Sequence, residues 1–165
     1  MKHKQKRHRR ILEKARILDR FIDEYRKVKK RVKFPHKEAK SLIRVFFPRS
    51  SFAGRGAFKT VHRVSSRARD LVLKTSNPAN IKNDWRAYHR IPPTLRNRYF
   101  AKIYWTTKYC LLQKHGKGTR GIPKEVKKRL MEIGRQFGLK DIRPANIRKV
   151  DGHFKIVDAN LANRK

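Results

Sequence analysis

At Ser50 the apolar side chains of this chain change their period, and that change limits what each part can fold into. Before it, Ile11, Ala15, Leu18, Ile22, Tyr25 and Val32 recur at alternating spacings of four and three, interrupted at Lys29. This predicts an amphipathic helix over residues 9 to about 33. Pro35 bars its continuation and pushes Phe34 toward extended geometry. Lys37 to Phe46 predicts a second, short helix stopped by Pro48. After Ser50 the signals are those of short strands: Gly54 and Gly56 in a turn, then alternating Phe58, Val61 and Val64, then the apolar run LVLKT. DWRAYHRI, opened by Asp84, places Trp85, Tyr88 and Ile91 on one helical face, with Pro92 and Pro93 closing it. AKIYWTTK and YCLLQKHGKG read as two strands joined by a tight turn. Glu125 to Leu139 carries Val126, Leu130, Ile133 and Phe137 at helical spacing, with Gly138 as its stop. A small hairpin follows. The expected class is α+β, one compact domain over residues 49–165 preceded by a basic extension over 1–48, without internal repeats.

Charge indicates the partner. Forty-seven Lys and Arg face twelve Asp and Glu, a net charge of +35 over 165 residues. Such a surface seeks polyanions, and nucleic acid is the leading expectation because release of counterions from phosphates rewards a dense basic surface. Lys6, Arg7, Arg9, Arg10, Arg16, Lys29, Lys30 and Arg31 are the expected contacts: the apolar stripe of the first helix docks on the remaining domain while its basic rows face outward. MKHKQKRHRR reads as a disordered basic arm that orders on a polyanion. No apolar run approaches the roughly 20 residues of a membrane span, and no signal-type apolar core follows the first ten residues. Glu13, Asp19, Asp23 and Glu24 argue against an organelle-targeting peptide. Cys110 has no partner for an internal disulfide and reads as a buried strand residue, so a reducing, cytoplasmic setting is expected. The seven histidines show no metal spacing with it. Trp85, Tyr88, Tyr99, Phe100, Tyr104, Trp105 and Tyr109 lie among basic residues, where they suit base stacking, but their spacing favours core packing.

The chemistry is concentrated near the C-terminal end. DIRPANI at 141–147 and KIVDANL at 155–161 supply a carboxylate, an amide five residues on, and a second carboxylate ending a strand-like run. Only Glu125, Glu132, Asp141, Asp151 and Asp158 are acidic after Asp84, and two of them fall where magnesium phosphate chemistry needs oxygen ligands. Upstream, Gly54, Arg55 and Gly56 form a turn whose backbone N–H groups can approach phosphate. Lys74 ends an apolar strand eighteen residues after Gly56.

From Gly54 to Asn160 these motifs, in this order and spacing, resemble the protein-kinase-like superfamily, nearest in economy to small atypical kinases of the RIO and lipopolysaccharide-kinase kind. GRGAFKTV resembles the glycine-rich loop, with Lys59 where a third glycine usually stands and Val61 at the valine over the adenine. The resemblance makes Lys74 the strand lysine of the α- and β-phosphates, and Asp84 the helix acid. LLQKHGKG becomes the segment joining two lobes, with Leu112, Gln113 and His115 beside the adenine. LKDIRPAN resembles HRDLKPEN, which makes Asp141 the catalytic aspartate, Arg143 the cation on the transferring phosphate, and Asn146 a magnesium ligand. VDAN stands for the DFG signature and makes Asp158 the principal magnesium ligand.

The implied fold is an abbreviated kinase: a β-rich lobe with one helix over 49–112 and a reduced lobe over 113–165, without an activation segment. Asp84 is one methylene shorter than the usual glutamate. Leu139 and Lys140 replace the histidine and arginine before the catalytic aspartate, and Ala159 and Asn160 replace phenylalanine and glycine. The expected activity is ATP- and Mg²⁺-dependent phosphoryl transfer, to Ser/Thr or to the chain itself, at a nucleic-acid or ribonucleoprotein partner. A catalytically silent nucleic-acid-binding protein of the same shape and a small-molecule or sugar kinase are the alternatives.

Overall fold

The computed structural model describes residues 2–30, 34–55, 59–64, 70–118 and 120–161, with backbone only for Lys2, Lys4 and Arg55. It is an α+β fold in which N-terminal helices precede a five-stranded antiparallel sheet, followed by further helices and small hairpins. Two compact units are distinguished, residues 1–81 with 105–112 and residues 82–104 with 113–165.

The first unit opens with α1, Lys2–Val28, whose buried apolar residues are Ile11, Ala15, Leu18 and Ile22 of the expected stripe, with Tyr25 half-buried. Burying each of these Leu or Ile side chains contributes about 1.5–3 kcal/mol. The helix begins seven residues earlier than the stripe predicts. The segment read as a disordered arm contains no Gly or Pro, and its Lys, Arg and Gln residues favour helix once a docked turn follows. Arg7, half-buried, also meets Asp70 at 3.5 Å. At the other end Arg26 and Lys27 complement the helix dipole, while Arg31 and Val32 lie outside the described residues. α2, His36–Phe46, buries Ala39 and Ile43 and fits its expected bounds.

Two carboxylates of α1 hold the sheet. Asp19 is 8 % exposed and accepts the backbone N–H groups of Lys108 at 2.9 Å and Tyr109 at 3.2 Å. Asp23 accepts Lys108 Nζ at 2.7 Å and the Tyr109 hydroxyl at 2.6 Å, and Arg26 donates to the same hydroxyl at 2.8 Å. Burial pushes the Asp19 carboxyl above its ordinary range, against hydrogen bonds that favour its charge. Asp23 goes the other way, because its bonds from Lys108 and Tyr109 together outweigh its burial. These acids fix the turn between β4, Ile103–Thr106, and β5, Cys110–Lys114. The exposed face of α1 carries mostly cations, with Glu13 and Glu24 among them.

The sheet runs β1-β2-β3-β5-β4, with β1 at Ser51–Arg55, β2 at Thr60–Arg63 and β3 at Leu71–Thr75. All of β3 is buried. In β2 Thr60 and His62 are buried and Val61 half-buried, while Val64 just beyond the strand is buried as expected; Phe58 lies outside the described residues. Cys110 is a fully buried free thiol whose pKa burial raises well above its ordinary value.

α3, Pro78–Arg90, starts before Asp84: Asn77 Oδ1 accepts the Asn80 N–H at 2.8 Å as an N-cap ahead of Pro78. α4, Pro93–Tyr99, also starts on a proline and was not foreseen from the sequence. α5, Lys124–Gln136, buries Leu130, Ile133 and Gly134, and Gly138 ends it at φ 63°. Four short strands follow: β6 Leu139–Lys140, β7 Ile147–Val150, β8 His153–Ile156 and β9 Asn160–Leu161. β7 and β8 pair through an Asp151-Gly152 turn with both residues at positive φ, the type I′ geometry that suits a two-residue hairpin. No described helix is long and apolar enough to cross a membrane.

Candidate active site

In the second unit two ladders share one loop. β6 pairs with β9, Lys140 opposite Asn160, while β7 pairs with β8, Ile147 opposite Ile156. The loop 141–146 therefore runs out along one ladder and back along the other, and residues 157–159 lie between the two. Val157 N donates to the Asn146 carbonyl at 2.9 Å, which extends the β7–β8 register by one step and puts Asn146 beside the residue preceding Asp158. Two short ladders thus bring the loop that carries Asp141 and Asn146 beside the segment 157–160, in which Asp158 lies.

The loop is tightly bonded within itself. Asp141 stands at φ 64°, a left-handed conformation uncommon for a side-chain-bearing residue. Its carbonyl accepts Asn146 Nδ2 at 2.9 Å and the Arg143 N–H at 2.9 Å. Its carboxylate accepts Asn160 Nδ2 at 2.8 Å. Asn160 is tied in turn to α3, its Oδ1 accepting Asn83 Nδ2 at 3.3 Å, and Asn83 Oδ1 receives the Leu161 N–H at 3.4 Å. Asp141 and Arg143 are exposed, Asn146 and Asp158 half-buried. Behind the loop, a Cβ on Gly134 would lie 2.5 Å from Ile142 Cγ1, so α5 needs glycine there for the loop to sit against it.

Sequence reading passed over Asn83, Gly134 and the part played by Asn160. No local signal in the sequence joins Asn83 to Asn160 across 77 positions.

In the first unit Gly54 pairs with Val61 and Val61 with Lys74, so three of the expected nucleotide residues stand in one row across β1, β2 and β3 and share a sheet face. Lys74 is 6 % exposed. Arg55 ends β1 opposite Thr60, and Gly56 lies outside the described residues. Asp84 is buried on α3, aligned with Ile81, Ala87, Tyr88 and Ile91. Leu112 is fully buried. Gln113 is 4 % exposed; its Nε2 donates to the Ala101 carbonyl at 3.4 Å, and its Oε1 is buried without a hydrogen-bond partner. His115 is half-buried. A Cβ on Gly116 would sit 2.3 Å from Arg148 Cβ, which fixes the chain after His115 against β7.

Among the described residues no three His, Cys, Asp or Glu side chains converge on a cation site. The candidate ligands are one carboxylate, Asp158, and one amide, Asn146. Two hard oxygen donors suit Mg²⁺, which keeps several waters and takes further oxygens from phosphates.

Of the expected polyanion contacts, Lys6, Arg9, Arg10, Arg16, Lys29 and Lys30 are exposed, and Arg9 shares its charge with Glu13 at 3.1 Å. No protein-family model matches the chain, and no curated protein matches it in sequence.

Proposed function

We propose that the chain is a minimal protein-kinase-like phosphotransferase that uses ATP and Mg²⁺ and works at a nucleic-acid or ribonucleoprotein partner. The observation that carries this reading is the double ladder that gathers Asp141, Asn146 and Asp158. That combination, an exposed carboxylate held by its neighbours beside an amide and a carboxylate on adjoining backbone, is what positioning an attacking hydroxyl next to a metal-bound phosphate requires.

In this reading Asn146 and Asp158 would hold Mg²⁺, which would supply charge neutralisation at the phosphates. Asp141 orients the hydroxyl and accepts its proton. Arg143, exposed two residues on, offsets charge on the transferring phosphate. Within the first unit Gly54 and Val61 stand in register with Lys74, the row that this reading assigns to a nucleotide.

Incubation with labelled ATP and Mg²⁺ tests the enzyme. Transfer to the chain itself or to an added acceptor should fall by about 100-fold or more in Asp158→Ala and Asp141→Ala. Wild type indistinguishable from Asp158→Ala across protein and small-molecule acceptors would end the enzymatic reading. The exposed cations of α1 favour a second reading, polyanion binding without catalysis. Because Ile11, Leu18 and Ile22 are core residues, it is tested by neutralising Lys6, Arg10 and Arg16 together rather than by removing the helix. Affinity for RNA or duplex DNA that does not change with salt would refute phosphate-led recognition.

A further inference from the structure

Within the second unit the end of α4, the first half of α5 and the start of β8 enclose an open groove of about 740 Å³. Its floor is apolar: Val126, buried Leu130, and the half-buried rings of Tyr99 and Phe154. Its rim is cationic, with Arg98, Arg129 and Lys155 beside His153 and a single carboxylate, Glu125. The Arg98 guanidinium lies 5.3 Å from the Tyr99 ring centroid, and Lys155 Nζ donates to the Asn97 carbonyl at 2.6 Å, tying α4 to β8. Arg129 is 60 % exposed at its side chain and meets Glu132 at 3.8 Å. None of these residues belongs to the loop 141–146 or to its ladder partners at 157–161.

We propose that this groove seats a short stretch of single-stranded nucleic acid, with a base against Phe154 and Tyr99 and the flanking phosphates at Arg98 and Arg129. The inference rests on the polyanion-partner part of the reading above and not on phosphoryl transfer. Aromatic surface at the base of a positively charged channel is how proteins hold single strands, because every base has a face that stacks and every nucleotide carries a phosphate. The volume falls in the range of about 300–1,000 Å³ that encloses a small organic ligand, which fits exposed bases and excludes a duplex with its bases stacked inside. An acidic peptide would satisfy the cations and leave the two rings without a purpose.

The test is fluorescence anisotropy of a labelled oligouridylate of about twelve nucleotides, a typical site size for single-strand binders. A duplex RNA of equal length and polyglutamate serve as comparison ligands, each across a salt series. Phe154→Leu, which keeps apolar volume in the groove, should weaken single-strand binding about tenfold at an unchanged salt slope and leave duplex binding within about twofold. Arg98→Gln with Arg129→Gln, both on the exposed rim, should weaken it and reduce the salt slope by about one. Wild-type affinity in both variants overturns the groove while leaving the polyanion partner standing. So does equal loss for single strand and duplex, or loss confined to polyglutamate. No binding of any nucleic acid by the wild-type chain overturns the partner reading, and the groove with it.

Discussion

Asn160 donates its side-chain amide to Asp141 Oδ2 at 2.8 Å, so the proposed catalytic carboxylate is tied to a residue 19 positions further along the chain. Asn83 on α3 steadies Asn160 in turn. A charge-assisted bond of this kind fixes a carboxylate that would otherwise rotate freely on an exposed loop. Asn160→Ala should lower phosphoryl transfer about tenfold, the effect of about 1.4 kcal/mol. Nucleotide affinity, read by titration, should stay within about twofold. Asn160→Asp should cost more, because it sets two carboxylates side by side. Equal loss of rate and nucleotide affinity would mean that Asn160 holds the fold rather than Asp141.

Gly134 leaves room for Ile142, the residue after Asp141. Alanine there gains about 0.5–1 kcal/mol of helix propensity, but its Cβ would stand 2.5 Å from Ile142 Cγ1, and overpacking costs about 1–3 kcal/mol. The clash outweighs the propensity, so Gly134→Ala should destabilise by about 1–2 kcal/mol in urea unfolding and slow transfer by moving the loop. Adding Ile142→Ala should restore part of the stability; strict additivity of the two losses would show that they do not meet.

Asp19 gives the turn between β4 and β5 its acceptor. Asp19→Ala leaves the Lys108 and Tyr109 N–H groups without a carboxylate, and a buried unpaired donor costs about 1–3 kcal/mol. A loss of about 2–4 kcal/mol is expected by urea unfolding, against less than about 1 kcal/mol for Glu24→Ala on the exposed face of the same helix.

His62 couples stability to acid. It is 1 % exposed, both ring nitrogens lack hydrogen-bond partners, and burial, reinforced by Lys40 and Arg44, lowers its pKa from 6.5 to about 4. The unfolded chain takes up this proton before the folded one does. Stability is therefore full above 6.5 and declines as pH falls toward 4, by about 3 kcal/mol in total. Asp19, raised by its burial, contributes with the opposite sign as pH falls, so the comparison must be made between variants. His62→Leu should flatten the decline between about pH 7 and pH 4 in urea unfolding, with little loss at neutral pH. An unchanged slope would place the acid sensitivity elsewhere.

The stripe Ile11, Ala15, Leu18 and Ile22, the run LVLKT, and Leu130 with Ile133 announce their elements because each buries a face with a fixed period, and a period is visible in one dimension. The N-cap at Asn77 and the extra helix α4 were less legible, since a proline that closes one helix also opens the next.

Asp141, Asn146 and Asp158 stood out by chemical type and spacing within a chain poor in acids. The sequence by itself determined the helix faces, the strands, the cationic surface and the residue types of the candidate site. Only the tertiary structure decided that β6–β9 and β7–β8 pair so as to set Asn146 beside Val157, that Asn83 and Asn160 steady Asp141, and that the acids of α1 serve the β4–β5 turn. Each of these depends on hydrogen bonds between residues distant in sequence, for which loop closure and ladder register, rather than local propensity, choose the partners.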